Sequence, residues 1–561
     1  MDVLEFDVLV IGSGGAGLRA SIEAAKYRLG VVILDKSKIA KGGATVASGG
    51  ELAAPFHQHD SKRRFREDIT TAGDHLNEQN LVAVLANESV NIAKDLEEFG
   101  LSWLRNSSGT YELRRLAGHT CPRTLISPYG GAYFVKVLAE EAKRCGVKFM
   151  EEVIVTSLVS CKGSVVGAIA LDIKNGDFVV LKATSTILAT GGLGQIYELT
   201  SNPRGATGDG YVLAYDAGAE LMDMEMVQFN PQGLVWPFSV AGLLQSEETR
   251  MAGARYYNVL GERFLSRYDP TKMEHATRDK LSQYVAREIK EGRGTKRGGI
   301  VLDPSPIPEE QIPFLQKTVG MGGRLRRFYH FGIDPFRDKQ EIYPSCHYMM
   351  GGIRIDERAE SSIKGLYACG EVSAGVHGAN RMGSNSLADT QVFGKLAGMH
   401  AALHASQNEA PPIDMEDAEK ECERVNDLLA LGNKNGIKPV DIKSRIRQLM
   451  SEYVGVIRSG EGLRKAIAEL DRISREDLSH AYIACKTRCY NNSWIELLET
   501  CNMVLVSKMI ARSALNRTET RGAHYREDFP GRDDQKFLFH ISVKKVNNEM
   551  RLSKLPITVS N

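Results

Sequence analysis

Cysteine is scarce in this chain, with nine residues in 561, all scattered. There is no C-x-x-C, no C-x-x-C-H and no ferredoxin-like series, so neither haem nor an iron–sulfur cluster has a local set of ligands. No metal site is expected, and the thiols read as reduced groups of a cytoplasmic protein. If the chain moves electrons, the metal relays are on another chain. An excess of one charge is missing too: Lys plus Arg number 71 and Asp plus Glu 70, for a net charge of +1. That balance argues against a nucleic-acid partner. No apolar run approaches the ~18 residues of a membrane span. Met1 to Asp7 places acids, not a basic region, ahead of the first apolar run, so a secretion signal is not expected. A membrane would be reached only through partner subunits.

What is present is 42% hydrophobic and 25% charged residues, an ordinary globular balance. The run Asp7-Val8-Leu9-Val10-Ile11 reads as a buried strand. Gly12, Gly14, Gly15 and Gly17 follow, then a helical stretch to Gly30 and a second strand, Val31 to Leu34, ending at Asp35 and Lys36. Strand, glycine turn, helix, strand, acid is the dinucleotide-binding unit. Its glycines allow a tight turn, approach to a pyrophosphate and packing of helix on strand, and the helix N-terminus faces the phosphates. Asp35, 18 residues after Gly17, stands where a ribose hydroxyl would bind. A second glycine-rich segment, Lys41 to Gly50, contains Gly43, Ala44, Thr45, Gly49 and Gly50 and suits a flat polar ring system. Two further strands run into glycine, at Ala189-Thr190-Gly191-Gly192 and at Cys369-Gly370-Glu371. Elements spread this widely suit an extended FAD better than NAD.

The expected fold is α/β. A Rossmann-type FAD-binding domain (1–228 and 343–404) is interrupted by an α+β capping domain (229–342). A helical bundle (413–515) and a C-terminal extension (516–561) follow. Cys485 and Cys489, four apart in a helical pattern, are expected to be buried in that bundle with Cys501. Lys544, Lys545, Arg551 and Lys554 read as a solvated basic tail.

These motifs resemble the fumarate reductase and succinate dehydrogenase flavoprotein family along nearly the whole chain. The match includes Thr207-Gly208-Asp209-Gly210, Gly261-Glu262-Arg263-Phe264, His347 to Gly352, the long run His377 to Leu387, and Arg521 to Arg526. The resemblance implies hydride transfer between flavin N5 and a C=C or CH–CH bond flanked by carboxylates, with an arginine moving the proton. Arg278 matches that arginine; on composition alone it is equally a solvated helix-start residue paired to Asp279. Glu247 and Arg250 match the relay that feeds it; by spacing alone they are also a surface i,i+3 ion pair. His347 and Arg381 match the clamp on one substrate carboxylate. Glu371, Asp209, Ser386 and Leu387 match flavin-contacting positions, although Asp209 could simply cap a helix.

The chain departs from the family at two places. Where membrane-bound members carry a flavin-linked histidine, it has Ala44, so non-covalent FAD is expected. Where the family has His-Pro-Thr-Gly against the second carboxylate, it reads Asn230-Pro231-Gln232-Gly233, with Ser246 in the place of a nearby threonine. The leading expectation is the catalytic flavoprotein subunit of a fumarate reductase/succinate dehydrogenase-type complex, acting on a dicarboxylate and served by an iron–sulfur subunit. The alternatives are reduction of a related enoate, a stand-alone oxidase of the L-aspartate oxidase kind, and a non-catalytic FAD scaffold. The adenylylsulfate reductase branch fits less well because His347 and Arg381 match the carboxylate clamp.

Overall fold

The computed structural model describes residues 2–320, 325–432 and 435–558. The central sheet is set by the first strand, β1 (Asp2–Ile11), whose residues Val8 to Ile11 form a continuous buried run. Such a run suits a strand covered on both faces. β1 pairs in parallel with β2 (Val31–Asp35) on one side and with Phe178–Leu188 on the other. The sheet extends through Lys148–Glu151 beyond β2, and through the antiparallel strands Ser164–Asp172 and Val153–Cys161 at the other edge. Leu366–Ala368 also adds to Phe178–Leu188 in parallel, so both later strand–glycine turns end beside the first. Helix α1 (Gly15–Ala25) and the helix Asn385–Gln407 cover this layer.

The capping region is an antiparallel four-stranded sheet of Val227–Leu234, Gln340–Met349, Ile300–Asp303 and Arg255–Tyr257. It has its own core, which includes Tyr256, Phe264, Leu281, Leu302, Phe328 and Ile342. The strands Val227–Leu234 and Gln340–Met349 contain the junctions we place at 228/229 and 342/343. The two strands that carry the chain into and out of this region are therefore hydrogen-bonded partners.

The C-terminal helices Met415–Ala430, Pro439–Tyr453, Gly460–Arg472 and Asn492–Asn516 pack together. Trp494, fully buried, donates its indole N–H to the Val425 carbonyl at 2.9 Å. Two expectations are corrected here. Cys485 and Cys489 are exposed and lie in a non-helical segment. Asn491 pins that segment by donating to the carbonyls of Cys485 and Thr487, while its Oδ1 accepts the Trp494 N–H and starts the next helix. The basic tail is an ordered hairpin, not a loose extension: His540–Val546 and Glu549–Leu555 pair antiparallel and add to Leu221–Met222, while Lys544, Arg551 and Lys554 stay exposed on it. Its root is charged and buried. His540 lies 2.5 Å from Asp223 and 2.9 Å from Glu78, and Arg517 reaches Glu225 at 2.6 Å. Burial alone would lower the His540 pKa, but the two carboxylates raise it to about 9.

Candidate active site

One cavity of about 470 Å³ brings the distant glycine segments together. Gly12, Gly14, Gly15, Asp35, Lys36, Gly43, Ala44, Thr45 and Gly49 line it with Ala189, Thr190, Gly191, Asp209, Glu371, Ser386 and Leu387. Gly17 and Gly50 do not line it. At Gly12 (φ +104°) a Cβ would stand 2.4 Å from the Ala189 carbonyl oxygen, and at Gly17 a Cβ would stand 1.8 Å from the Gly12 carbonyl oxygen. No side chain fits at either point, so backbone lies against backbone beneath the cavity. The first turn of α1 has no acid and no N-cap side-chain bond, and its first N–H, at Gly15, meets only the neutral Thr45 hydroxyl at 3.2 Å, so the helix N-terminus suits an anion. Thr190 Oγ1 is buried without a partner beside them. This donor set fits the pyrophosphate and ring of FAD.

Asp35 accepts the Ser13 N–H at 2.9 Å and the Ser13 hydroxyl at 2.6 Å, which fixes its carboxylate at the end of β2. Lys36 reaches Asp209 at 2.6 Å and Glu499 at 2.7 Å. Despite burial, those two carboxylates raise the Lys36 pKa. Asp209 thus serves as an ion-pair partner, not as a helix cap, and Asn502 of the C-terminal helix also donates to it at 2.9 Å. Burial lifts the Glu371 carboxyl to about 7 even though it accepts the Met349 N–H.

The far part of the cavity is lined by Arg278, His347 and Arg381. Arg278, first residue of the helix Arg278–Glu288, directs Nε to Glu247 Oε2 at 2.9 Å; its partner is Glu247, not Asp279. Glu247 Oε1 lies 3.1 Å from Arg250 and accepts the Ala117 N–H at 2.9 Å. Burial would raise this carboxyl, but the guanidiniums of Arg250 and Arg278 hold it down at about 2. Arg250 is itself anchored to the carbonyls of Glu274 and Ala276. The result is a buried arginine–glutamate–arginine chain ending at the cavity. Arg381 stacks over the Tyr348 ring at 4.5 Å. Burial and the nearby Arg278 lower its pKa to about 9. His347 Nδ1 lies 2.8 Å from Ser201 Oγ, which orients the ring.

Ser246 and Asn230 are buried close by but do not line the cavity. Asn230 Oδ1 accepts the Gln232 N–H at 3.1 Å, and the Ser246 hydroxyl donates to Glu248. Glu248 in turn lies 3.1 Å from Arg114. Sequence reasoning missed Glu248, Arg114 and Leu116. The acidic doublet Glu247-Glu248 was visible, but nothing in the sequence joins it to Arg114, 134 residues away. Leu116 shares the space at Gly383 with Arg278: a Cβ there would lie 2.8 Å from Leu116 Cδ1 and 3.2 Å from Arg278 Nη2.

A Rossmann layer carrying a glycine cradle, capped over a buried arginine cluster, defines a flavin-dependent oxidoreductase. Comparison narrows the class. An FAD binding domain family model matches residues 7–387, and a fumarate reductase flavoprotein C-terminal model matches 443–561. The chain is 40% identical to a fumarate reductase (CoM/CoB) subunit of Methanothermobacter marburgensis, over 94% of this chain and 95% of that one. It is 34% identical to the fumarate reductase flavoprotein subunit of Escherichia coli, over 96% and 92% of the two chains. A solved structure of E. coli quinol fumarate reductase superposes with a TM-score of 0.92 at 31% identity, covering 100% of this chain and 98% of that one. The chain belongs to the fumarate reductase/succinate dehydrogenase flavoprotein family and is an FAD-dependent enzyme acting on CH–CH bonds. Among the described residues no helix is long and apolar enough to cross a membrane.

Proposed function

We propose that this chain reduces the C=C bond of an α,β-unsaturated carboxylate of the fumarate type, as the flavoprotein subunit of a larger complex. The observation that carries the reading is the buried chain Arg278–Glu247–Arg250 ending at a cavity wall shared with Arg381 and His347. FAD, when bound, supplies the hydride. The substrate carboxylate is received by the Arg381 fork, whose charge stabilises the negative charge that develops as hydride arrives at the β-carbon. Arg278 gives a proton to the α-carbon, and Glu247 and Arg250 restore it from outside. The buried, ion-paired setting keeps bulk water from short-circuiting that transfer. One hydride, carrying two electrons, and one proton convert the double bond to CH–CH.

Ala44, in the second glycine segment, offers no nucleophile, so FAD is held without a covalent bond and acid precipitation releases it into the supernatant. Electrons come from a separate iron–sulfur subunit, which supplies the ligand sets this sequence does not contain. The test is anaerobic: the flavin-loaded chain is reduced with dithionite and mixed with fumarate, crotonate or cinnamate. Stoichiometric return of the oxidised flavin spectrum with any of these is expected. A flavin that stays reduced with all of them contradicts the proposal.

A further inference from the structure

The helical bundle contributes no described residue to the cavity wall, yet it grips one stretch of that wall. The stretch is the loop 201–206, all of which lines the cavity, with Arg204 and Gly205 exposed. Two arms reach it. From the helix Pro439–Tyr453, Arg447 donates Nε to the Gln195 carbonyl at 2.8 Å and Nη2 to the Gln195 side-chain oxygen. Gln195 in turn donates its side-chain amide to the Asn202 carbonyl at 2.9 Å and its backbone N–H to the Ala206 carbonyl at 3.0 Å. From the helix Asn492–Asn516, Glu499 meets Lys36 at 2.7 Å and Asn502 donates to Asp209 at 2.9 Å. Lys36 also donates to Thr207 Oγ1 at 2.9 Å and lies 2.6 Å from Asp209, so the residues just after the loop are fastened to the end of β2.

A cofactor held without a covalent bond leaves when its wall opens, at a rate set by how often the open state is visited. The Lys36–Glu499 pair is well placed to oppose opening: its side chains are 21% and 13% exposed, and a charge-assisted bond shielded from bulk water is stronger than a surface pair. Resting on the reading that Ala44 leaves FAD untethered, we propose that the helical bundle is the flavin-retaining part of this chain, with Arg447, Glu499 and Asn502 as positioning residues that keep 201–209 closed on the cavity. None of the three lines the cavity; they act through Gln195, Lys36 and Asp209.

In the test, flavin-loaded wild type, E499Q, R447Q and E496Q are diluted, and the FAD that passes a protein-retaining filter is followed with time. Glu499→Gln keeps an acceptor for Lys36 but removes the charge, and Arg447→Gln lets go of Gln195. Each is expected to release FAD about tenfold faster than wild type, the effect of losing one charge-assisted bond. Glu496 is the control. It lies 3.6 Å from Lys443, the lysine that Glu499 meets at 3.7 Å, and it makes no hydrogen bond or ion pair to a described wall residue. Glu496→Gln should therefore release FAD at the wild-type rate, whereas a general loosening of the helix would speed all three variants alike. Release at the wild-type rate from E499Q or R447Q, or an equal speeding in E496Q, overturns the inference and leaves the proposed function standing. A folded variant that purifies without flavin is titrated with FAD instead: a Kd raised at least about tenfold supports the inference, and a wild-type Kd overturns it. If one variant does not fold, the other decides against the control. Flavin retained in the acid-precipitated wild-type pellet would reveal a covalent link, overturning the untethered reading and this inference while leaving C=C reduction untouched. Failure of reoxidation by every enoate would overturn the proposed reaction alone.

Discussion

The two ends of the cavity are built from different materials. The nucleotide end is mostly backbone: Gly12 and Gly17 press main chain against main chain, and the N–H groups of α1 face the space above. The end we assign to substrate is mostly ionised side chain, with Arg278 on the cavity wall and Glu247 and Arg250 buried behind it. The first kind of site is damaged by adding atoms, because the space for a Cβ is absent. The second is damaged by removing one member of a pair, because the partner left behind is a buried, uncompensated charge.

Three substitutions sharpen that contrast. Glu247→Ala strands two guanidiniums, and a loss of about 3–5 kcal/mol is expected in denaturant unfolding of the flavin-loaded chain. Glu247→Gln should recover part of that stability but not turnover, since an amide cannot relay the proton. A Glu247→Ala chain as stable as wild type would show that the arginines are solvated. Gly12→Ala comes next: backbone strain of about 1–3 kcal/mol at φ +104° adds to the contact with the Ala189 carbonyl. The expected result is a chain purified without flavin, and full flavin content would contradict the backbone reading of that end.

His540→Gln, far from both ends, should cost about 1.5–3 kcal/mol at pH 6, the worth of hydrogen bonds to charged groups. The His540 pKa is raised on folding, from the ordinary 6.5 to about 9. Its contribution is therefore full below about pH 6.5 and is lost as pH rises through 9. The gap between wild type and His540→Gln should shrink over that range. A gap independent of pH would mean that the imidazole is not charged in the folded chain.

How much of this was legible in the sequence follows from distance along the chain. The nucleotide unit lies within the first 36 residues, and its strand, turn and helix each have a local signature, so it could be read directly. The i,i+3 spacing of Glu247 and Arg250 announced a pair. Their meeting with Arg278 depends on how the capping sheet folds, and only family resemblance pointed to it. Glu248 with Arg114 had neither signal. The helical reading around Cys485 and Cys489 failed because Asn491 folds its side chain back onto two carbonyls there, a local competition that apolar periodicity does not reveal. The tail was misread although a turn signal was present: Asn547 and Asn548, both at positive φ, join the two strands of the hairpin.

The most direct test of the central claim is Arg278→Ala, prepared with its flavin. The reduced variant should still pass electrons to ferricyanide, showing a competent flavin. Reoxidation by the best enoate should fall by about 10²–10⁴-fold, the range expected when a positioned proton donor is removed. Reoxidation by that enoate at the wild-type rate would contradict the account, because the proton would then have another source.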